Sequence, residues 1–222
     1  MAKWIREPDD TTKEAADLTN ASCTIVYTRK AWFKTLLLVE SRNKEVGWHG
    51  VARRVGDNHF VVDDIVVFPQ EVTGASTTPD DIEYTMWQDS LDTKVFNNIR
   101  MYGHSHVNFA PIPSATDMRY RSDMLTAIDT FYIFQIFNKR GHFSSEVYDV
   151  ENNILYENCD VRNRVMGDID YTQFVIMVEL LMRMMKDVEG TRSFTNMFGW
   201  FCDVADEIMS LLQTADELVK EK

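Results

Sequence analysis

The sequence predicts one mixed α/β domain followed by a helical tail. Short β-rich runs alternate with amphipathic helical runs between about residues 20 and 160. Two pairs of β-rich runs are separated only by the turn signals "GDN" and "KR". Beyond about Tyr171 the strand pattern stops and an apolar helical period takes over. A chain of 222 residues suits one domain plus an appendage, and 45% hydrophobic content with 12% aromatics supplies a core.

Taken in order, residues 1–20 form a polar arm that reads as loosely held. "CTIVYT" (23–28) is a strand, and "KAWFKTLLLVESRN" is a helix with Phe33, Leu36, Leu37 and Glu40 at helical spacing. "EVGWHGVARRV" and "HFVVDDIVVF" make a hairpin about "GDN". "PQEVTGASTTPDD" has the Pro, Gly, Ser and Thr content of a loop, and "IEYTMWQDSLDTKVFNNI" reads as a helix. "RMYGHSHV" is a short strand, and "SATDMRYRSDMLTAI" opens with a helix-start signature. "TFYIFQIFN" and "GHFSSEVYDV" form a second hairpin. The expected order is β-α-ββ-α-β-α-ββ, within a domain spanning residues 21–165. In the extension, residues 166–222, Phe201, Val204, Ala205, Ile208, Leu211, Leu212, Ala215 and Leu218 make one helical stripe. That stripe suits a helical hairpin packed on the domain, or a surface for a homodimer or partner.

Composition narrows the class. A net charge of −12 disfavours a surface that tracks nucleic-acid phosphates. The N-terminus has no apolar signal-peptide core, and "FVIMVELLMRMM" is too short and too interrupted by charge to span a bilayer. Three scattered cysteines, Cys23, Cys159 and Cys202, suit a reducing cytoplasm and argue against a cysteine-built zinc site. The expectation is a cytoplasmic protein without a membrane anchor.

Residues 103–117, "GHSHVNFAPIPSATD", carry the chemistry. Side chains alternate on a strand, so His104 and His106 face one side while Ser105 points away. Pro111 and Pro113 end the strand and turn the chain. Ser114 fits a helix N-cap with Asp117 at the third helical position, so the helix start can swing Asp117 back towards the histidines. Two imidazoles and one carboxylate, with a fourth position left for water, are the make-up of a catalytic zinc site.

The spacing H-x-H-x7-S-x-x-D in "HSHVNFAPIPSATD" resembles the signature of the JAMM (MPN+) metalloprotease family, over about residues 20–150. The family also carries an upstream glutamate on the strand after the first helix, and Glu45 in "KEVGWHG" occupies that place. The resemblance implies an α+β, MPN-like (cytidine-deaminase-like) fold: a mixed sheet flanked by helices. It implies one Zn2+ per chain, held by His104, His106 and Asp117. It implies Glu45 as general acid/base and Ser114 as the hydroxyl supporting the oxyanion. Glu40 is the rival base, although its spacing with Leu36 and Leu37 makes it a helix-end residue. His49, His59 and His142 lack partner spacing and read as structural or surface histidines. The family usually has proline after the second histidine. This sequence has Val107, a departure that bears on the path of the loop more than on the ligands.

The function so implied is hydrolysis of a peptide or isopeptide bond at the C-terminal tail of a ubiquitin-like protein or conjugate. Residues 70–91 fall where the family carries an insertion, and read either as a lid or as a plain surface loop. Two alternatives stand beside this reading. One is a catalytically silent MPN-type interaction module. The other is a DNA-repair-associated protein like the RadC-type relatives, which share the histidine–aspartate spacing.

Overall fold

The computed structural model describes residues 2–5, 22–41, 43–72, 77–79 and 81–163. The helical extension expected over 166–222 lies outside the described residues, as does most of the polar arm.

The described chain begins with β1 (Ala2–Trp4) and resumes at β2 (Thr24–Tyr27), which feeds α1 (Arg29–Ser41). Thr28 starts that helix: its hydroxyl accepts the Ala31 N–H at 3.3 Å, as an N-cap does. Ala31, Leu37, Leu38 and Val39 are buried by α1, whereas Glu40 at its end is exposed. β3 (Gly47–Gly56) and β4 (His59–Val66) pair antiparallel about the two-residue turn Asp57–Asn58.

The next stretch departs from expectation. Where composition predicts a loop, β5 (Gln70–Val72) and β6 (Thr77–Pro79) form a small separate hairpin. The single helix expected over 82–99 is two: α2 (Asp81–Ser90) and α3 (Thr93–Asn97). The break comes at Asp92, whose carboxylate accepts the Lys94 N–H at 2.8 Å and caps a new helix start.

From there the expected order holds through β7 (Ile99–Ser105), α4 (Ala115–Leu125), β8 (Phe131–Phe137) and β9 (Phe143–Asp149). Two further strands follow that the sequence did not announce, β10 (Ile154–Glu157) and β11 (Asp160–Asn163).

One curled nine-stranded mixed sheet runs in the order β1-β10-β9-β8-β7-β3-β4-β2-β11. The β7–β8, β2–β4 and β2–β11 pairs are parallel. β1 closes one edge by pairing with β10. β8 is buried at all seven positions, as a strand covered on both faces must be, and its one side-chain amide is matched. Gln135 accepts from the Tyr27 hydroxyl and donates to Ser145 Oγ at 2.9 Å. Tyr27, Trp48, Phe60, Ile133 and Met101 lie at the centre of the core. Two glycines allow strands β3 and β7 to approach. A Cβ on Gly103 would lie 2.4 Å from Trp48 Nε1, and one on Gly50 would lie 2.7 Å from Met101 Sδ. Among the described residues no helix is long and apolar enough to cross a membrane.

Candidate metal centre

β7 and α4 bring the motif together. His104 lies on β7, and the Phe137 carbonyl extends the pairing by accepting the His106 N–H at 2.8 Å. Ser105 faces the other way: its Oγ accepts the Val46 N–H at 3.2 Å, and its own N–H donates to Val46 O. The predicted capping box is complete. Ser114 Oγ accepts the Asp117 N–H at 3.2 Å, and the Ser114 N–H donates to Asp117 Oδ2 at 2.7 Å. The cap fixes the carboxylate and turns its other oxygen, Oδ1, towards His104.

Three side chains then converge. His104 Nε2 lies 3.0 Å from His106 Nε2 and 3.2 Å from Asp117 Oδ1, and His106 Nε2 lies 3.7 Å from Asp117 Oδ2. His106 Nδ1 is 2.9 Å from the Ala110 carbonyl, which assigns its proton to Nδ1 and leaves the Nε2 lone pair facing the group. Four ligands about 2.0–2.1 Å from a tetrahedral zinc are about 3.3–3.4 Å apart, so these separations fit a shared cation. His104, His106 and Asp117 could hold a metal ion. Both imidazoles are buried. Burial alone would push the Asp117 carboxyl up, but hydrogen bonds with His104, His106 and Ser114 hold it well below the usual carboxylate range. The same contact with Asp117 raises His106 against the opposing effect of burial.

Glu45 joins them from the approach to β3. Gly47 pairs with His104, and continuing that antiparallel register by two residues brings Glu45 opposite His106. Burial raises its carboxyl, His106 and His104 oppose that rise, and Asp117 adds to it, so Glu45 sits in the field of all three donors. Burial also raises Glu40, but the charge it feels is Lys139. The two glutamates are therefore told apart by their neighbours. Gln70, at the base of the β5–β6 hairpin, steadies this end of β3. Its side-chain amide accepts the Gly47 N–H at 2.8 Å and donates to Gly47 O at 2.9 Å.

Val107 has φ 49°, in the left-handed region that a β-branched side chain rarely adopts. Proline, locked near −65°, cannot take this conformation. The loop after His106 thus follows a path that a proline at this position would forbid. Its carbonyl accepts the Lys139 N–H at 2.7 Å, and the Val107 side chain is buried.

The donors open onto a cavity of about 630 Å³, bordered at this end by Glu45, His104, Ser114 and Asp117. Its walls hold residues that the motif does not include, among them Arg100, Tyr102, Tyr120 and Tyr132. A sequence signal for some of them was present. Arg100, Tyr102 and His104 alternate along one strand, and Asp117, Tyr120 and Met124 repeat at helical spacing. Tyr84 and Gln88 of α2 supply part of the far wall, so this helix of the 70–91 segment borders the cavity. His49 is buried but itself borders the cavity, with its Nε2 2.8 Å from the Tyr84 hydroxyl. His59 and His142 are exposed.

No protein-family model matches the chain, and no curated protein does.

Proposed function

We propose that the chain is a zinc-dependent hydrolase of the JAMM type, with an MPN-like fold, that cleaves a peptide or isopeptide bond. The observation that carries this reading is the convergence of two imidazole nitrogens and a carboxylate at 3.0–3.7 Å beside Glu45 at the mouth of a cavity. His104, His106 and Asp117 would hold one Zn2+. Such an ion, when bound, lowers the pKa of a water from 15.7 to about 7 and polarises a carbonyl.

The other roles belong to the chain. Glu45, raised by burial, takes a proton from the attacking water and returns it to the leaving amine. Ser114 Oγ accepts the Asp117 N–H, which leaves its O–H hydrogen to donate to the oxygen that gains charge. Ala110 O holds the His106 tautomer, and the capping box holds Asp117. A ubiquitin-like tail is the substrate that the sequence resemblance suggests, and a cytoplasmic location agrees with the free thiols of Cys23 and Cys159.

Metal analysis after dialysis tests the ligand set. One zinc per chain is expected in the wild type, with loss in His104→Ala and in Asp117→Ala. Full zinc retention by both variants would sink the assignment. Hydrolysis of ubiquitin-like fusions that stops on chelation and returns with zinc tests the reaction.

A further inference from the structure

The cavity beside the donor group is a channel with a direction. His104, Tyr102 and Arg100 follow one another along β7 and all border it. Four residues at about 3.3 Å each place Arg100 ~13 Å from His104. A bulge opposite Gly50–Val51 turns Ile99 into the same wall. Across the channel, Asp117, Tyr120 and Met124 follow one face of α4 for ~10 Å. The strand and the helix thus set a trough with the donors at one end.

Its chemistry changes along that length. Glu45 and Asp117 stand at the donor end, and Arg100 is the one Arg or Lys among the residues lining the cavity. Between them lie rings: Tyr102 is 4.6 Å from Tyr120 and 6.4 Å from Phe68, and Phe68 is 5.5 Å from Tyr84. Arg100 donates to the Ile99 carbonyl at 2.8 Å, and no carboxylate pairs with it among the described residues. Tyr132 supplies a second sign of an unfilled polar role. Its ring lines the cavity, its residue is fully buried, and its hydroxyl has no hydrogen-bond partner among the described residues. Buried hydroxyls are rarely left so.

We propose that this cavity binds an extended peptide segment of about four residues, lying along β7 from the His104–His106–Asp117 group to Arg100. A bulky apolar or aromatic side chain sits among Tyr102, Tyr120 and Phe68, and a carboxylate pairs with the Arg100 guanidinium. A trough of ~13 Å holds about four extended residues at ~3.3 Å each. Its volume lies within the ~300–1,000 Å³ typical of binding pockets. The planar guanidinium suits a carboxylate, which it can meet with two parallel hydrogen bonds. The inference rests on the hydrolase reading for the bond that is cut, but the binding preference does not depend on turnover.

Titration calorimetry on the full chain carrying Glu45→Gln measures binding apart from hydrolysis. The probes are end-blocked hexapeptides with Glu or Lys at one position and Phe or Ala two residues away, each made in both chain directions. The Glu–Phe peptide in one direction should bind about tenfold or more tighter than its Lys–Phe and Glu–Ala counterparts. Arg100→Glu should reverse the order of the Glu and Lys peptides, and Arg100→Gln should level it. Tyr120→Ala should erase the preference for Phe. Equal binding of Glu and Lys peptides, an order unchanged by Arg100→Glu, or no binding by any probe overturns the proposal. If the preferences hold but no peptide is ever cleaved, the hydrolase reading fails and the binding proposal stands. Cleavage of other substrates with no such preference would overturn the binding proposal and leave the hydrolase reading in place.

Discussion

Lowering the pH should destabilise the fold through His49, and the size of the effect follows from its surroundings. The side chain is buried in a cluster of rings, with Phe68 at 4.8 Å, Trp87 and Tyr102 at 5.9 Å, and the Tyr84 hydroxyl on Nε2 at 2.8 Å. None of these partners is a carboxylate, and the backbone of Met101, which favours a positive ring, offsets only part of the cost of burial. Burial accordingly pushes His49 down to about 4. In the unfolded chain it titrates near its usual ~6.5. The folded state therefore resists a proton that the unfolded state accepts. Its contribution is complete above pH 6.5 and is lost as pH falls towards 4. The gap amounts to ~3 kcal/mol in full, of which ~2 kcal/mol is already gone at pH 5. Urea denaturation of the wild type and of His49→Gln, each at pH 7.5 and pH 5.0, isolates this term, because the carboxylates common to both proteins cancel in the difference. The wild type should lose ~2 kcal/mol more than the variant over that interval. Parallel losses in the two proteins would refute the argument, and would mean that water or a charge reaches the ring.

Glu45→Gln should keep the metal and the fold while turnover drops by at least about a hundredfold, because the amide cannot take a proton from water. If Glu40→Gln is instead the inactive variant and Glu45→Gln turns over normally, the base has been misassigned. Val107→Pro should lower both stability and zinc content, since a φ near −65° cannot be reconciled with the observed 49°. An unchanged melting temperature and full metal content in that variant would show that the loop takes another path. Gly103→Ala should cost about 1–3 kcal/mol, read by chemical denaturation, because its Cβ would press within 2.4 Å of a fully buried Trp48. A neutral result would mean that the indole has room to retreat.

The histidine–aspartate group was legible in the sequence because every step in it is local. Alternation on a strand puts His104 and His106 on one side within three residues, and the cap rule ties Ser114 to Asp117 within four. The break of the predicted helix at Asp92 obeys the same cap rule, and "SLDTK" carries its signal. β10 and β11 were less accessible. Each is four residues long, and each exists because a partner strand presents an open edge: β9 for the first and the distant β2 for the second. β1 is three residues paired across the whole domain to β10, against an expectation of a loosely held arm.

By itself, then, the sequence determined most of the alternation of strands and helices, the grouping of His104, His106 and Asp117 and the cap that orients it, since these depend on periods and contacts of a few residues. Only the tertiary structure shows that Glu45 and Glu40 have different neighbours. The two lie five residues apart, and Glu45 feels the charges of His106, His104 and Asp117 while Glu40 feels that of Lys139. It alone placed Phe68, Tyr84 and Tyr132 around one cavity, because they come from different parts of the chain and meet through sheet order rather than spacing. It also set the left-handed turn at Val107, where contacts around the buried side chain and the Lys139–Val107 hydrogen bond outweigh a residue's own backbone preference. Short-range sterics and capping act before the chain has folded, whereas register, burial and the electrostatic neighbourhood of a side chain exist only once distant strands have paired.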